Sequence, residues 1–151
     1  MNKKNIPELA LELGALMTEM KNYLRQFIQI KIKENGINLT FEMLEVLACL
    51  WKKDGIKQQD IADMTIKDKS SMTNLVDNLE KRKMIKRVAD KEDRRNKLIF
   101  LTKQGKILQQ KLHPWVFEMY GKAAVGINAA EINKSIMLIK KMNKNLKKQD
   151  N

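Results

Sequence analysis

The sequence predicts a mainly α-helical fold with one small β-hairpin, and three observations carry that expectation. Apolar residues recur at three- and four-residue steps through the first and last parts of the chain, the signature of amphipathic helices. The period drops to two after Lys83, where MIKRV and KLIFL bracket the polar run ADKEDRRN. Only 5% of residues are aromatic while 32% are charged and ten are Met, a balance suited to amphipathic helices with Met as an adaptable filler.

The first helix spans about Pro7 to Glu34, with a stripe of Leu9, Leu13, Leu16, Met20, Leu24 and Phe27. Pro7 suits its first turn, which needs no backbone donor there, and Gly36 suits its exit. Gly14 within it reads either as a tolerated glycine or as a point of close helix approach. Thr40 is placed to cap a second helix with Phe41, Leu44, Leu47, Ala48 and Trp51 inward, and Asp54-Gly55 stops it. The short segment KQQDIADMT and a turn at Thr65 to Lys67 follow. Asp68 then caps a helix in which Met72, Leu75, Val76 and Leu79 share one face. Its outward positions are Lys69, Ser70, Ser71, Thr73, Asn74, Asp77 and Lys81.

Beyond the hairpin, Thr102 opens another helix, which Pro114 should bend or reset because proline removes an internal hydrogen bond. Asn128 and Glu131 have capping-box spacing ahead of a last helix, with Ile127 and Ile132 placed as a hydrophobic staple. The inner stripe of that helix is Ile132, Ile136, Ile139, Met142 and Leu146. No internal repeat or linker is evident, so the 151 residues read as one domain over 1–151. A chain of that length buries roughly 68–70% of its unfolded surface.

The formal net charge is +12, with a pI near 9.8. Such an imbalance points to a polyanionic partner, nucleic acid before membrane. No run approaches the roughly 18 apolar residues of a spanning helix, and MNKKNIPE lacks the apolar centre of a signal peptide, so a cytoplasmic location is expected and no membrane partner. Cys49 is the single cysteine and His113 the single histidine. An internal disulfide is thereby excluded, and neither a metal site nor a cofactor is expected. Cys49 lies in the apolar run VLACLW and reads as a small buried hydrophobe; the alternative is a peroxide-sensing thiol, with Lys52 or Lys53 as the only neighbours placed to lower its pKa. His113 reads as structural, since no catalytic or ligand partner accompanies it. The run KKMNKNLKK near the end reads as a solvated helix face, with phosphate contact as the alternative.

Two short helices followed by a hairpin with a basic tip form the plan of a winged helix-turn-helix. The second of these helices is slim and polar outside, as entry into a major groove about 12 Å wide requires, and Lys69, Ser70, Ser71, Thr73 and Asn74 supply donors and acceptors there. Arg94 and Arg95 at the loop tip suit the negative potential of a minor groove, with Asp93 placed to orient a wing arginine by a charge-assisted pair. Lys67, Lys81, Arg82 and Lys86 flank these elements and suit phosphates.

The segment KQQDIADMTIKDKSSMTNLVDNLEKRKMIKRVADKEDRRNKLIFLTKQGK resembles the DNA-binding core of the MarR family (multiple antibiotic resistance regulators). The most specific pieces are Arg87, Asp93-Arg94-Arg95, and Leu101-Thr102 followed by Gly105. The resemblance extends over nearly the whole chain and implies a winged core over 37–101 with dimerisation helices over 1–36 and 102–151. It implies a homodimer on a pseudo-palindromic double-stranded DNA operator, usually as a repressor. The apolar stripes of the first and last helices fit pairing between copies, although an intramolecular bundle would also cover them. The family usually binds small aromatic or amphipathic effectors between its two regions, which makes Trp51, Trp115, Phe117 and Tyr120 pocket candidates as well as core candidates.

Two departures from the family pattern stand out. Lys83 occupies a position where members often have Gly, so a non-glycine is expected in a left-handed conformation or the helix ends differently. Asn74 stands where members often have Arg; asparagine suits adenine, so an AT-rich half-site is expected. A competing reading is a basic helical module whose winged core docks a protein partner. An enzyme is not expected, since no nucleophile with a base, no paired carboxylates and no phosphate-cradling glycine loop are present.

Overall fold

The order of elements in this computed structural model, which describes residues 5–147, follows from caps and periodicity. Helix α1 (Ile6–Glu34) begins in a capping box: Glu8 N–H donates to Asn5 Oδ1 at 3.0 Å, and Asn5 N–H to Glu8 Oε2 at 2.8 Å. Thr40 caps α2 (Phe41–Lys52), and Asp68 caps α4 (Lys69–Lys81). Between them lie strand β1 (Ile56–Lys57) and helix α3 (Gln58–Thr65). The wing is β2 (Ile85–Ala89) and β3 (Lys97–Leu101), and helices α5 (Lys103–Ala123) and α6 (Ala129–Lys147) complete the chain. The N-terminal MNKK and Lys148, the last residue of the KKMNKNLKK run, lie outside the described residues.

Helices hold 71% of the described residues, as expected, but the predicted hairpin is part of a three-stranded antiparallel sheet ordered β1-β3-β2. Ile56 pairs with Ile99, and β2 pairs with β3 from Ile85↔Leu101 to Ala89↔Lys97. Asp54 secures the junction by accepting the Leu101 N–H at 2.8 Å. Gly55, at φ +67, lies so close to the Phe100 ring that a Cβ there would stand 2.6 Å from it. A Cβ at Gly105 would stand 2.3 Å from the Met84 carbonyl oxygen, so glycine lets α5 start against β2. Thr102 starts that helix by accepting the Gly105 N–H at 3.2 Å.

The core is built around α2, which packs on α1, α3, α4 and β3. Val46, Leu47, Ile61, Met72, Val76, Leu79 and Ile99 are fully buried there. The expected inner face of α2 needs correction: Met43, Val46 and Leu50 are buried, Ala48 is exposed and Trp51 only half-buried. A helix covered on several sides buries more than one stripe. Helix α5 runs unbroken through Pro114. A Cβ at Gly14 would meet nothing within 4 Å, so the described chain shows no close helix approach there.

Among the described residues the chain divides between Val116 and Phe117 into two compact units. The second contains α6, whose Asn128–Glu131 capping box forms as expected. No α6 residue is buried, and Ile132, Ile136 and Leu146 of its stripe are exposed.

Candidate nucleic-acid interface

Helix α4 owes its start to Asp68. The Asp68 carboxylate accepts the Ser71 N–H at 2.8 Å and the Ser71 hydroxyl at 2.7 Å, and these bonds, the backbone one first, hold its pKa below the usual carboxylate value. Thr73 is half-buried: its hydroxyl donates to the Lys69 carbonyl at 2.9 Å and accepts from Gln58 Nε2 at 3.1 Å, tying α4 to α3. Of the five residues expected to read DNA from this helix, Lys69, Ser70 and Asn74 have exposed side chains, while Ser71 and Thr73 also build the helix.

The end of α4 bears out the expectation for Lys83, which takes φ +57. The Lys83 N–H donates to the Glu80 carbonyl at 2.8 Å and Met84 N–H to the Leu79 carbonyl at 3.0 Å, a Schellman closure made without glycine. The turn before α4 is similar: Ile66 sits at φ +51 with 93% of its surface exposed.

At the wing tip Arg94 and Arg95 are exposed. Asp93 accepts the Arg95 N–H at 3.0 Å and Asn96 Nδ2 at 3.3 Å. It therefore shapes the tip through a main-chain amide, where the sequence suggested a guanidinium partner. The arginine that does find carboxylates is Arg87 on β2. Its guanidinium pairs with Asp77 and, at 2.6 Å, with Glu80, both on α4. Asp77 is thus a brace between helix and wing and not an outward reading position.

The flanking cations divide into two groups. Lys81 and Lys86 are exposed. Arg82 reaches back to the Asn38 carbonyl at 2.9 Å and to Asn78 at 3.2 Å. Lys67 lies 3.5 Å from Glu45, which also pairs with Lys21 at 2.8 Å. Lys67 thus ties the turn before α4 to α2, and Arg82 ties the end of α4 to the loop before α2, roles that residue type alone does not reveal. Sequence reasoning also missed Lys57 and Lys97. Together with Lys69 and Arg95 they line a cleft of about 260 Å³ between α3, the start of α4 and the wing.

Of the pocket candidates, Trp51 donates its indole N–H to the Gly105 carbonyl at 3.2 Å, and Trp115 packs at the edge of the first unit's core. Phe117 and Tyr120 belong to the second unit and are 66% and 44% exposed. Neither this cleft nor a second one of about 450 Å³ beside Asn74 is lined by any of the four. Cys49 is half-buried, and burial pushes its thiol pKa up; the Lys52 charge opposes this without overcoming it. His113 lies on an exposed part of α5. Among the described residues no cluster of three metal-ligating side chains occurs, and no helix is long and apolar enough to cross a membrane.

Residues 39–97 match the model of the MarR family. The chain is 32% identical over 74 residues to the HTH-type transcriptional regulator TtmR of Methylorubrum extorquens, a match covering 49% of this chain and 38% of that protein. This chain therefore spans about four-tenths of the length of that relative. Its fold is similar to that of CouR from Rhodococcus jostii, solved bound to p-coumaroyl-CoA: TM-score 0.73 at 26% identity, covering 89% of this chain and 93% of that one. BpsR of Bordetella bronchiseptica, whose DNA binding is regulated by 6-hydroxynicotinic acid, matches with TM-score 0.70 at 24% identity over 87% of this chain and 98% of that one. Members of the MarR family are DNA-binding transcription regulators and not enzymes. The winged core of this chain is thus similar to the MarR family over residues 39–97, and it is carried on the fold these solved structures share.

Proposed function

We propose that this protein is a ligand-responsive transcriptional repressor that binds a pseudo-palindromic, AT-rich operator as a homodimer in the cytoplasm. The observation that carries the DNA-binding part is the bracing of α4 to the wing. Arg87 joins an exposed polar helix face to a loop with two exposed arginines, so both elements approach a duplex as one body. In this reading Ser70 and Asn74 meet base edges, with Lys69, Ser71 and Thr73 beside them, and Arg94 and Arg95 enter the adjacent minor groove. Lys81 and Lys86 take phosphates; Lys67 and Arg82 add positive potential from their braced positions.

The homodimer is supported by apolar surface on α1 and α6: Leu9 and Leu16 on the one and Ile132, Ile136 and Leu146 on the other are exposed. Half-sites then lie about one helical turn, roughly 34–36 Å, apart. Responsiveness is supported by the small-molecule ligands of CouR and BpsR. The corresponding class here is a small aromatic or amphipathic effector, with Trp51 and Trp115 as the candidate contacts in the first unit and Phe117 and Tyr120 as those in the second.

The test is a gel shift with the region upstream of its own gene across a salt series. Affinity should fall by roughly 10³–10⁵ between 50 and 200 mM salt if six to ten phosphates are contacted. A flat response overturns the reading. Selection from random DNA should return adenine at the base facing Asn74; guanine there removes the AT-rich half-site. Small aromatic acids that bind should raise the melting temperature and shift the operator affinity.

A further inference from the structure

The cleft between α4 and the wing has four cations among its polar lining, and Gln58, Gln59 and Asn96 are the neutral polar residues beside them. Lys57 comes from β1, Lys69 from α4, Arg95 from the wing tip and Lys97 from β3, and no carboxylate lines it. Some other cations of the same unit do have acidic partners: Lys21 and Lys67 share Glu45, and Arg87 holds Asp77 and Glu80. Four positive groups around a cleft of about 260 Å³ repel one another until an anion enters. The walls are fixed. Gln58 is held by Thr73 at 3.1 Å, Ala62 and Met72 beneath are buried, and Lys57 and Lys97 sit in register positions of the sheet, opposite Leu98 and Ala89.

The position of the cleft selects its occupant. Lys69 stands on the helix assigned to the major groove, and Arg95 on the loop assigned to the minor groove. A duplex that engages both must lay the strand separating its two grooves across the space between them. We infer that this cleft seats a backbone phosphate of that strand, with Lys57 and Lys97 as its ligands and Gln58 as the residue positioning the α3 wall. This inference rests on the DNA-binding reading and adds a register-fixing contact that neither reading element supplies.

The experiment uses the full chain with Lys57→Gln, Lys97→Gln and the double variant, on the selected operator and on an unrelated duplex of equal length. Each single change should weaken both duplexes in the same proportion. The double change should lower the slope of log affinity against log salt by about one, as for loss of one neutralised phosphate. A charge-matched control, Lys33→Gln with Lys134→Gln, should keep the wild-type slope. Replacing single operator phosphates by neutral methylphosphonate should locate one site that weakens wild type and leaves the double variant unaffected.

A double variant that melts like wild type and keeps its slope, while Arg94→Ala lowers it, overturns the phosphate seat and leaves the DNA-binding reading standing. Failure of wild type to bind any duplex overturns that reading itself. Inorganic phosphate, matched in ionic strength with chloride, distinguishes the source. If it raises the melting temperature of wild type but not of the double variant, and the DNA slopes are equal, the cleft holds a free anion and the proposal fails.

Discussion

Arg87 Nη1 donates to Glu80 Oε2 at 2.6 Å, a bond that fastens the first strand of the wing to the last turn of α4. The same guanidinium reaches Asp77, and its side chain is only 17% exposed. One planar fork therefore sets the angle between the two elements proposed to read DNA.

Replacing Arg87 by Ala removes both bonds and leaves Asp77 and Glu80 facing each other's charge. Partly screened, this should cost about 1–2 kcal/mol of stability, read as a lower urea midpoint at unchanged slope. Operator affinity should fall more than that of unrelated DNA, because the wing loses its angle before it loses its charge. Arg87→Lys should not rescue binding, since an ammonium cannot serve both carboxylates in one plane. Full rescue by lysine would show that charge alone matters at this position.

Two left-handed residues give a prediction of opposite sign. Lys83 at φ +57 and Ile66 at φ +51 each carry a Cβ into a region that favours glycine, and Ile66 packs on almost nothing. Lys83→Gly and Ile66→Gly should each stabilise by about 1 kcal/mol, a rise of roughly 2–4 °C in melting temperature for a chain of this size. A fall at Lys83 would mean that its side chain contributes more than its backbone costs.

Much of this was legible from local chemistry. Caps at Thr40, Asp68 and Asn128 need only the residue and the turn it precedes, and the left-handed exit at Lys83 follows from a helix that must end without glycine. The hairpin was visible through its period of two. What could not be read was set by distant partners. Strand β1 is two residues long and exists because Ile99 and Leu98 pair with it. The inner face of α2 widened because four elements cover it. Lys67 and Arg82 looked like phosphate ligands, but Glu45 and the Asn38 carbonyl engage them from across the fold. The basic cleft is likewise invisible in sequence, since Lys57 and Lys97 stand far apart until the sheet closes.

The wing tip makes a graded prediction. Arg94→Ala and Arg95→Ala should each cost on the order of 1–3 kcal/mol of operator binding if the side chain enters the minor groove. Asp93→Ala removes no positive charge, yet it frees the Arg95 amide and the Asn96 side chain that shape the tip. It should therefore weaken the operator complex without changing the salt slope. Loss in none of the three variants would defeat the wing assignment.

Cys49 should behave as an inert thiol. Burial outweighs the nearby Lys52 charge and moves its pKa above the ordinary thiol value, so little thiolate exists at neutral pH. Its alkylation by iodoacetamide should be slower in the folded protein than after denaturation. Operator binding by wild type and Cys49→Ser should respond alike to peroxide. A response confined to wild type would restore a redox role.

Acid should release the cap of α4 in a defined window. The folded pKa of Asp68 is held below the ordinary 3.8, chiefly by the Ser71 N–H. A carboxylate with a depressed folded pKa stabilises fully above its unfolded pKa, and that contribution is lost as pH falls through the folded one. The cap should therefore be intact from neutral pH to about 5 and fail only below the ordinary carboxylate value. Asn at position 68 caps without titrating. The difference in melting temperature between wild type and Asp68→Asn should accordingly stay constant above pH 5 and shift in the destabilising direction for wild type below it. A carbon-detected NMR titration placing the Asp68 midpoint above 3.8 would contradict the hydrogen bonding that starts this helix.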